Sequence, residues 1–433
     1  MDVFLVNARL RELTRHAAKM PPLGLAYIAA VLHSRGYEVA AIDLNVTPFE
    51  QQQILNTIKD LSPQIVAISA NTPTYKSGLN FARLAKMVNP LIKVVFGGAH
   101  ASVLHKEVIS EEAVDVVVRG EGENTMAELT DCWIKNKGSL AQIKGITYKE
   151  NGAVMVNQNR PPILNPDSLP FPVTDLFPFE MYGMPNAVLA SRGGCPFSCY
   201  FCAVNSIWHG KRRLREPRAI VTEIARVITT HSLPKTRAIN FSDDALTLNK
   251  EHTLLLCKYL KQLAEKIPVK WRCNTRVDLV DAQLLKEMRE AGCYSIEYGI
   301  EAGSQEIMNS IGKNITLARV KKVVEMTVTL GIDAECSFMF PHPEDTEKTI
   351  NKQIEFMKEL YNMGASETLS LTTPLPGSKL YSNLSQLGIE LLSDDWDDYD
   401  CRHIIISTKN LSREKIQEQY RKMVQSLGMQ DSN

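Results

Sequence analysis

Three cysteines stand within eight positions in the segment Ser191-Arg192-Gly193-Gly194-Cys195-Pro196-Phe197-Ser198-Cys199-Tyr200-Phe201-Cys202. Thiolates so spaced can wrap one metal centre, and Gly193, Gly194 and Pro196 favour an irregular loop over a helix. A cubane cluster has four irons, so three cysteines leave one iron without a protein ligand, open to chelate a substrate. Zinc is a competing reading. Its structural sites close with four protein ligands, usually as spaced pairs, and no further Cys or His stands at matching spacing, His209 being the only nearby candidate. Unpaired buried thiols are the third reading. Nine cysteines, an odd number, fit ligands and buried thiols in a reducing compartment better than a disulfide framework.

The elements that must carry this loop fall into two βα series. In the first, apolar runs at Val3–Val6, Glu38–Leu44, Ile65–Ser69, Lys93–Phe96 and Val114–Val118 alternate with helical periodicity at Gly24–Ser34, Pro48–Lys59, Ser77–Val88 and Asn124–Lys135. The pattern predicts a doubly wound, Rossmann-like parallel sheet covered on both faces. Such sheets bind ligands at the carboxyl ends of their strands. Here those ends carry Ser69-Ala70-Asn71-Thr72, Gly97-Gly98-Ala99-His100-Ala101-Ser102 and Arg119-Gly120-Glu121-Gly122-Glu123. Glycine permits close backbone approach, and Ser69, Asn71, Thr72 and Ser102 can hydrogen-bond amides and phosphate. Taken singly, Gly97, Gly98 and Gly120 also read as plain turn residues.

A hairpin is expected over Gly145–Val156, around Asn151-Gly152. The stretch from Asn159 to Pro185 is too rich in proline for a helix or central strand. Residues 1–144 therefore read as the first domain, and 145–185 as hairpin and Pro-rich linker. The second series has runs at Ala187–Ser191, Ala238–Ser242, Val269–Asn274, Ser295–Gly299, Ala334–Met339 and Thr368–Thr372, with helical segments between them. Six units are fewer than the eight of a closed barrel, so 186–380 reads as an open partial barrel. Residues 381–433 form a small, α-containing C-terminal region in which Ile416, Tyr420, Met423 and Leu427 share a helical face.

Polar residues collect at the strand ends of this second series too: Ser242, Asp243 and Asp244; Asn274 and Arg276; Glu301. Each alone could be a helix cap or surface ion pair, but together they occupy the face where barrel chemistry gathers. His342 reads as a packed turn residue or a proton donor. The run Asp394–Asp400, with Tyr381, Trp396 and Tyr399, reads as a solvated face or as part of a substrate pocket.

The Cys-x3-Cys-x2-Cys spacing with Phe201 before the last cysteine, after the first strand of a (β/α)6 partial barrel, resembles the radical S-adenosylmethionine (SAM) superfamily. The resemblance implies that Cys195, Cys199 and Cys202 hold a [4Fe-4S] cluster and that SAM binds its open iron. It further implies SAM contacts from Phe201, Ser242, Asp243 and Asp244 (ammonium), Asn274 and Arg276 (carboxylate or ribose) and Glu301 (ribose). One departure stands out: Phe340-Pro341-His342-Pro343-Glu344-Asp345-Thr346 occupies the place where many relatives have a Gly-rich Pro-Gly-Glu-Thr turn.

A doubly wound domain ahead of such a barrel resembles the cobalamin-binding subgroup, with its class B methyltransferases. This implies cobalamin beside Ser69, Asn71, Thr72, Gly97, Gly98, His100, Ser102, Gly120, Glu121 and Gly122. No histidine matches the Asp-x-His-x2-Gly motif, so none is assigned below cobalt. The implied reaction is methylation of an unactivated carbon of a peptide or small molecule, with one SAM methylating cobalamin and a second cleaved at the cluster. Alternatives are a cyclase, oxidase or ring-rearranging enzyme with the same cofactors, and a cobalamin or redox sensor without turnover. An electron donor such as ferredoxin or flavodoxin is implied as partner.

With 49 basic and 49 acidic side chains in 433 residues, no global field draws in nucleic acid or anionic lipid. The N-terminus lacks a signal-peptide pattern and no apolar run reaches bilayer-spanning length. The expectation is a cytoplasmic protein.

Overall fold

The computed structural model describes residues 1–12, 20–47, 50–184, 186–208, 212–230 and 238–428. Contacts divide the chain into two compact units, Met1–Pro185 with Val204–Gly210, and Asn186–Ala203 with Lys211–Asn433. His209 and the start of the helix expected from Pro48 lie outside the described residues.

In the first unit β1 (Val3–Asn7), β2 (Val39–Asp43), β3 (Ile65–Ser69), β4 (Lys93–Gly97) and β5 (Val116–Val118) are parallel, in the order β2-β1-β3-β4-β5. The order reverses between β1 and β3, so the connections leaving those two strands run in opposite directions, where a ligand crevice forms in such sheets. Helices Leu23–Ser34, Gln51–Leu61, Tyr75–Val88 and Glu123–Ile134 intervene. Four or more residues of β1 and β3 are buried, as a sheet covered on both faces requires.

The hairpin β6 (Ile146–Glu150) and β7 (Ala153–Val156) does not stand apart as a linker element. It extends the same sheet antiparallel to β5, pairing Val116 with Tyr148 and Val118 with Ile146. Arg119 fastens it, donating to the carbonyls of Ile146 and Asn157. The proline-rich stretch is tied back as well: the Tyr182 hydroxyl donates to Asp43 Oδ2 at 2.9 Å, while Asn7 and Asn45 donate to Asp43 Oδ1, both at 2.9 Å. Burial together with the Asp43 carboxylate pushes the Tyr182 hydroxyl pKa up.

The second unit is a six-stranded parallel sheet in the order of the chain, β8 (Ala187–Val188), β11 (Ala238–Phe241), β12 (Lys270–Thr275), β13 (Cys293–Glu301), β14 (Asp333–Phe340) and β15 (Ser366–Leu371). The first of these strands breaks early. After Val188 the chain leaves the sheet, and β9 (Ser191–Arg192) instead pairs antiparallel with β10 (Arg213–Leu214). Side chains alternate along β12, β13 and β14, so Arg272 and Asn274, Glu297, Gly299 and Glu301, and Glu335 and Ser337 are only half-buried. Between them Trp271, Cys273, Tyr298, Cys336 and Phe338 join the main core.

The C-terminal region is part of this unit. Helix Arg413–Ser426 packs Ile416, Tyr420, Met423 and Val424 against Phe340, Ile350, Ile354 and Leu371. The short strands β16 (Ile389–Leu391) and β17 (Ile406–Thr408) carry Ile389 and Ile406 into a second cluster with Leu380 and Tyr399, on which Tyr200 and Phe201 rest. Within the acidic run, Asp395 caps the Asp397 amide, Asp398 accepts from the Ser393 hydroxyl, and Asp400 accepts from the Arg402 amide. Those three carboxylates hold their own turn. No described helix is long and apolar enough to cross a membrane.

Candidate functional site

The cysteine loop leaves the sheet at β8 and is held from three sides. Asp243, at the end of β11, accepts from the Ala190 amide at 2.8 Å, from the Ser191 hydroxyl, and from Arg212 at 3.0 Å. Its side chain is fully buried. A carboxylate offers about four acceptor positions, so Asp243 is committed to fixing the chain's exit from the sheet. Arg212, adjacent to Lys211 and Arg213, carries no sequence signal that marks it as the partner of Asp243.

The second support is Tyr200. Its carbonyl accepts from the Leu380 amide at 2.8 Å, and its ring meets Phe201 edge-on at 5.7 Å. The Tyr200 hydroxyl lies 3.2 Å from His342 Nδ1, and His342 Nε2 lies 2.9 Å from the Glu301 carbonyl. A carbonyl can only accept, so Nε2 carries the proton and Nδ1 accepts from the tyrosine. His342 is fully buried, and Asp345 holds its backbone amide at 2.7 Å. It is therefore a packed turn residue, and it ties the cysteine loop to the ends of β13 and β14. Burial, with Asp345 and Glu301 nearby, pushes the Tyr200 hydroxyl pKa up and keeps it protonated.

Arg276, just beyond β12, is the third support. Its Nε and Nη2 donate to Asp278 at 2.9 and 3.0 Å, and Nη2 also donates to the Lys313 carbonyl at 2.7 Å. The guanidinium centres 3.7 Å from the Phe197 ring, and Nη1 lies 3.9 Å from Cys199 Sγ.

Within the loop none of the three cysteines is in a disulfide. Cys195 and Cys199 are half-buried and Cys202 is exposed, whereas Cys257, Cys273, Cys293 and Cys336 are buried. A turn bond from the Cys202 amide to the Cys199 carbonyl (3.2 Å) folds the segment on itself. Burial pushes the Cys195 thiol up, with Asp244 and Cys199 adding to the effect and Arg212 opposing it. Among the described residues no three His, Cys, Asp or Glu side chains gather tightly enough to hold one ion. Solvent-accessible thiols on a braced loop at the strand ends fit the cubane.

Acceptors surround that loop. Asp244 keeps solvent contact, and crowding by protein raises its carboxyl pKa against the pull of Arg212. Ser242 accepts from the Asn240 amide at 3.0 Å. Asn274 is half-buried at the end of β12, and its side chain has no hydrogen-bond partner among the described residues. Glu301 has a left-handed backbone (φ 73°), and its Oε1 is held at 2.8 Å by Lys313, whose side chain is only 4% exposed. A Cβ on Gly299 would fall 2.6 Å from that oxygen and 3.1 Å from Lys313 Nζ, so glycine is needed for the pair to lie over the strand. Lys313 and Arg212 are the functional-site residues that sequence reasoning missed.

In the first unit the expected ligand residues are mostly turned inward. His100 is 2% exposed, stacked on Tyr75 at 4.3 Å, with Nδ1 3.3 Å from the Thr72 hydroxyl. Burial pushes its pKa down to about 4. His100 and Thr72 are thus both buried and face each other. Asn71 caps the short turn Thr72–Thr74. Ser102 donates to the Gly98 carbonyl at 2.8 Å and accepts from the Gly120 amide at 3.0 Å, joining the two glycine loops. Glu121 accepts from the Ile163 amide at 2.7 Å. Gly98 (φ 96°) has no room for a Cβ, which would lie 2.5 Å from the Ala70 carbonyl oxygen. Around Gly120 that space is open, with nothing within 4 Å. Ser69, Gly97, Gly120 and Gly122 remain partly accessible. The edge is a backbone cradle of glycines, fit for close approach by a bulky ligand.

Comparison with known proteins finds a B12 binding domain model over residues 13–130 and a Radical SAM superfamily model over residues 191–357. The chain is 33% identical to an uncharacterized methyltransferase of Pyrococcus horikoshii, across 93% of this chain and 86% of that protein. It is 28% identical to an anaerobic magnesium-protoporphyrin IX monomethyl ester cyclase of Rubrivivax gelatinosus, across 85% of this chain and 67% of that one. In fold it resembles TsrM from Kitasatospora setae, a radical SAM methyltransferase solved with cobalamin and a [4Fe-4S] cluster, with TM-score 0.77, 16% identity and coverage of 99% of this chain and 91% of that one.

Proposed function

Because the chain belongs to the cobalamin-binding branch of the radical SAM superfamily, we propose that it is a methyltransferase acting on an unactivated carbon of a small molecule or a peptide side chain. Its cofactors are a [4Fe-4S] cluster, SAM and cobalamin. When bound, they supply a carbon radical for hydrogen abstraction and a methyl group for transfer.

The observation that carries the reading is the braced loop of accessible Cys195, Cys199 and Cys202 beside open acceptors at the ends of β11, β12 and β13. The three thiolates hold three irons. Ser242 and Asp244 suit an ammonium, since an acceptor oxygen paired with a cation makes a charge-assisted bond. The Asn274 side-chain amide can donate to the carboxylate of SAM, and the free oxygen of Glu301 can accept from a ribose hydroxyl. Phe201, packed on the cluster that contains Leu380 and Tyr399, anchors the end of the loop. Asp243, Tyr200 and His342 act as positioning residues, each fixing the loop rather than meeting a ligand. In the first unit Ser69, Gly97, Gly98, Gly120 and Gly122 form the cobalamin cradle. The chain works in the cytoplasm, with a ferredoxin or flavodoxin as its electron donor.

The test is anaerobic reconstitution with iron, sulfide, methylcobalamin, SAM and reductant, followed by mass spectrometry of candidate small molecules and peptides. Methyl transfer adds a CH2 unit, and labelled SAM methyl enters the product. The cyclase relative favours a second reading, in which 5′-deoxyadenosine forms but the product gains no methyl carbon. Absence of 5′-deoxyadenosine under reducing conditions would instead mark a protein without turnover.

A further inference from the structure

Arg276 turns one end of its guanidinium towards Cys199. A guanidinium has five N–H donors. Three are taken on its far side by Asp278 Oδ1, Asp278 Oδ2 and the Lys313 carbonyl. These bonds fix the plane of the group, and the Phe197 ring lies 3.7 Å from it. Nη1 is left pointing at Cys199 Sγ, 3.9 Å away, and the side chain is only 9% exposed. Such a geometry is costly to assemble for a residue meant to swing onto a small molecule. It suits one meant to hold a fixed charge and an N–H against a thiolate.

Resting on the reading that Cys199 ligates a [4Fe-4S] cluster, we infer that Arg276 sets the reduction potential of that cluster through Cys199, and does not bind the SAM carboxylate. Reduction adds an electron to a group already carrying thiolate charge. A guanidinium held beside one sulfur, on a side chain itself only 9% exposed, stabilises the reduced form more than the oxidised one. Asp278 lies on the opposite side of the fork, where it orients the guanidinium and is itself partly exposed. Lysine cannot reproduce this arrangement, because an ammonium lacks the planar fork that meets Asp278, the Lys313 carbonyl and the sulfur together.

The experiment is a reductive titration of the full chain reconstituted with iron and sulfide, without SAM, followed by electron paramagnetic resonance. Wild type, R276Q and R276K are compared, and SAM affinity is measured separately from the change in the spectrum on adding SAM. The expected result for R276Q is a potential lower by about 59 mV, a tenfold change for a one-electron couple, with R276K between it and wild type. Unchanged potentials with weakened SAM binding would overturn the inference and restore Arg276 to the SAM site. Two folded variants that hold no cluster would also overturn it, making Arg276 a structural brace. Wild type that assembles no cluster would sink the underlying reading instead, and is told apart by its iron and sulfide content.

Discussion

At the carboxyl ends of β3, β4 and β5, side chains that look like ligands spend themselves on one another: His100 on Tyr75 and Thr72, Ser102 on two glycine loops, Glu121 on Ile163. At the carboxyl ends of β11, β12 and β13 the inward-turned residues instead brace something that stays open. Asp243 fixes the exit towards the cysteines, Arg276 fixes Cys199, and Lys313 fixes Glu301. The first edge is left to meet a ligand with backbone and shape, the second with thiols and carboxylates. A backbone cradle tolerates much variation in side chains, whereas a thiol triad does not, which is why the second site is far easier to read from residue types.

The contrast can be broken or sharpened by substitution. The largest effect belongs to C195A, C199A or C202A: bound iron should fall to background and 5′-deoxyadenosine should vanish, with cobalamin retained by the first unit. Next is K313M, which strands Glu301 beside an empty site; breaking such a buried pair costs roughly 3–5 kcal/mol. Chemical denaturation should report that loss, SAM affinity should fall with it, and the double variant E301Q/K313M should recover much of the stability but not the affinity.

In the first unit G98A should cost about 2–5 kcal/mol, summing the left-handed backbone and the clash with Ala70. It should also release cobalamin, while leaving the iron content of the second unit intact.

The pH response follows from His100. Its folded pKa, about 4, lies below the ordinary 6.5, so between these values the unfolded chain binds a proton that the folded chain refuses. Its contribution to stability is complete above pH 6.5 and is lost on acidification towards 4, by up to ~3 kcal/mol. H100F should flatten that part of the stability profile relative to wild type. The smallest change is E121Q, which weakens a charge-assisted bond to a neutral one and should cost about 1 kcal/mol.

Much of this was legible in the sequence. The order of apolar runs predicts both parallel sheets, because crossover helices force each strand to be buried. The cysteine spacing points to the loop. The early break after Val188 was not visible, since Leu189 and Ala190 continue the apolar run, and the strand ends where Asp243 draws in the Ala190 amide and Arg215 donates to the Leu189 and Ala190 carbonyls. The hairpin's place in the first sheet depends on Arg119 and on register with β5, neither of which is marked by residue type. Lys313 lies in an unremarkable Gly-Lys-Asn turn, and its partner is twelve residues back across the missing side chain of Gly299. Such pairings are tertiary, so periodicity carries no trace of them.

The central claim is a cubane with one iron open to SAM, held by Cys195, Cys199 and Cys202. Its most direct test is the electron paramagnetic resonance spectrum of the anaerobically reconstituted, reduced full chain, recorded with and without SAM. A [4Fe-4S]+ signal that changes shape when SAM is added is the predicted result; zinc at the three thiols, or a cluster spectrum indifferent to SAM, would contradict it.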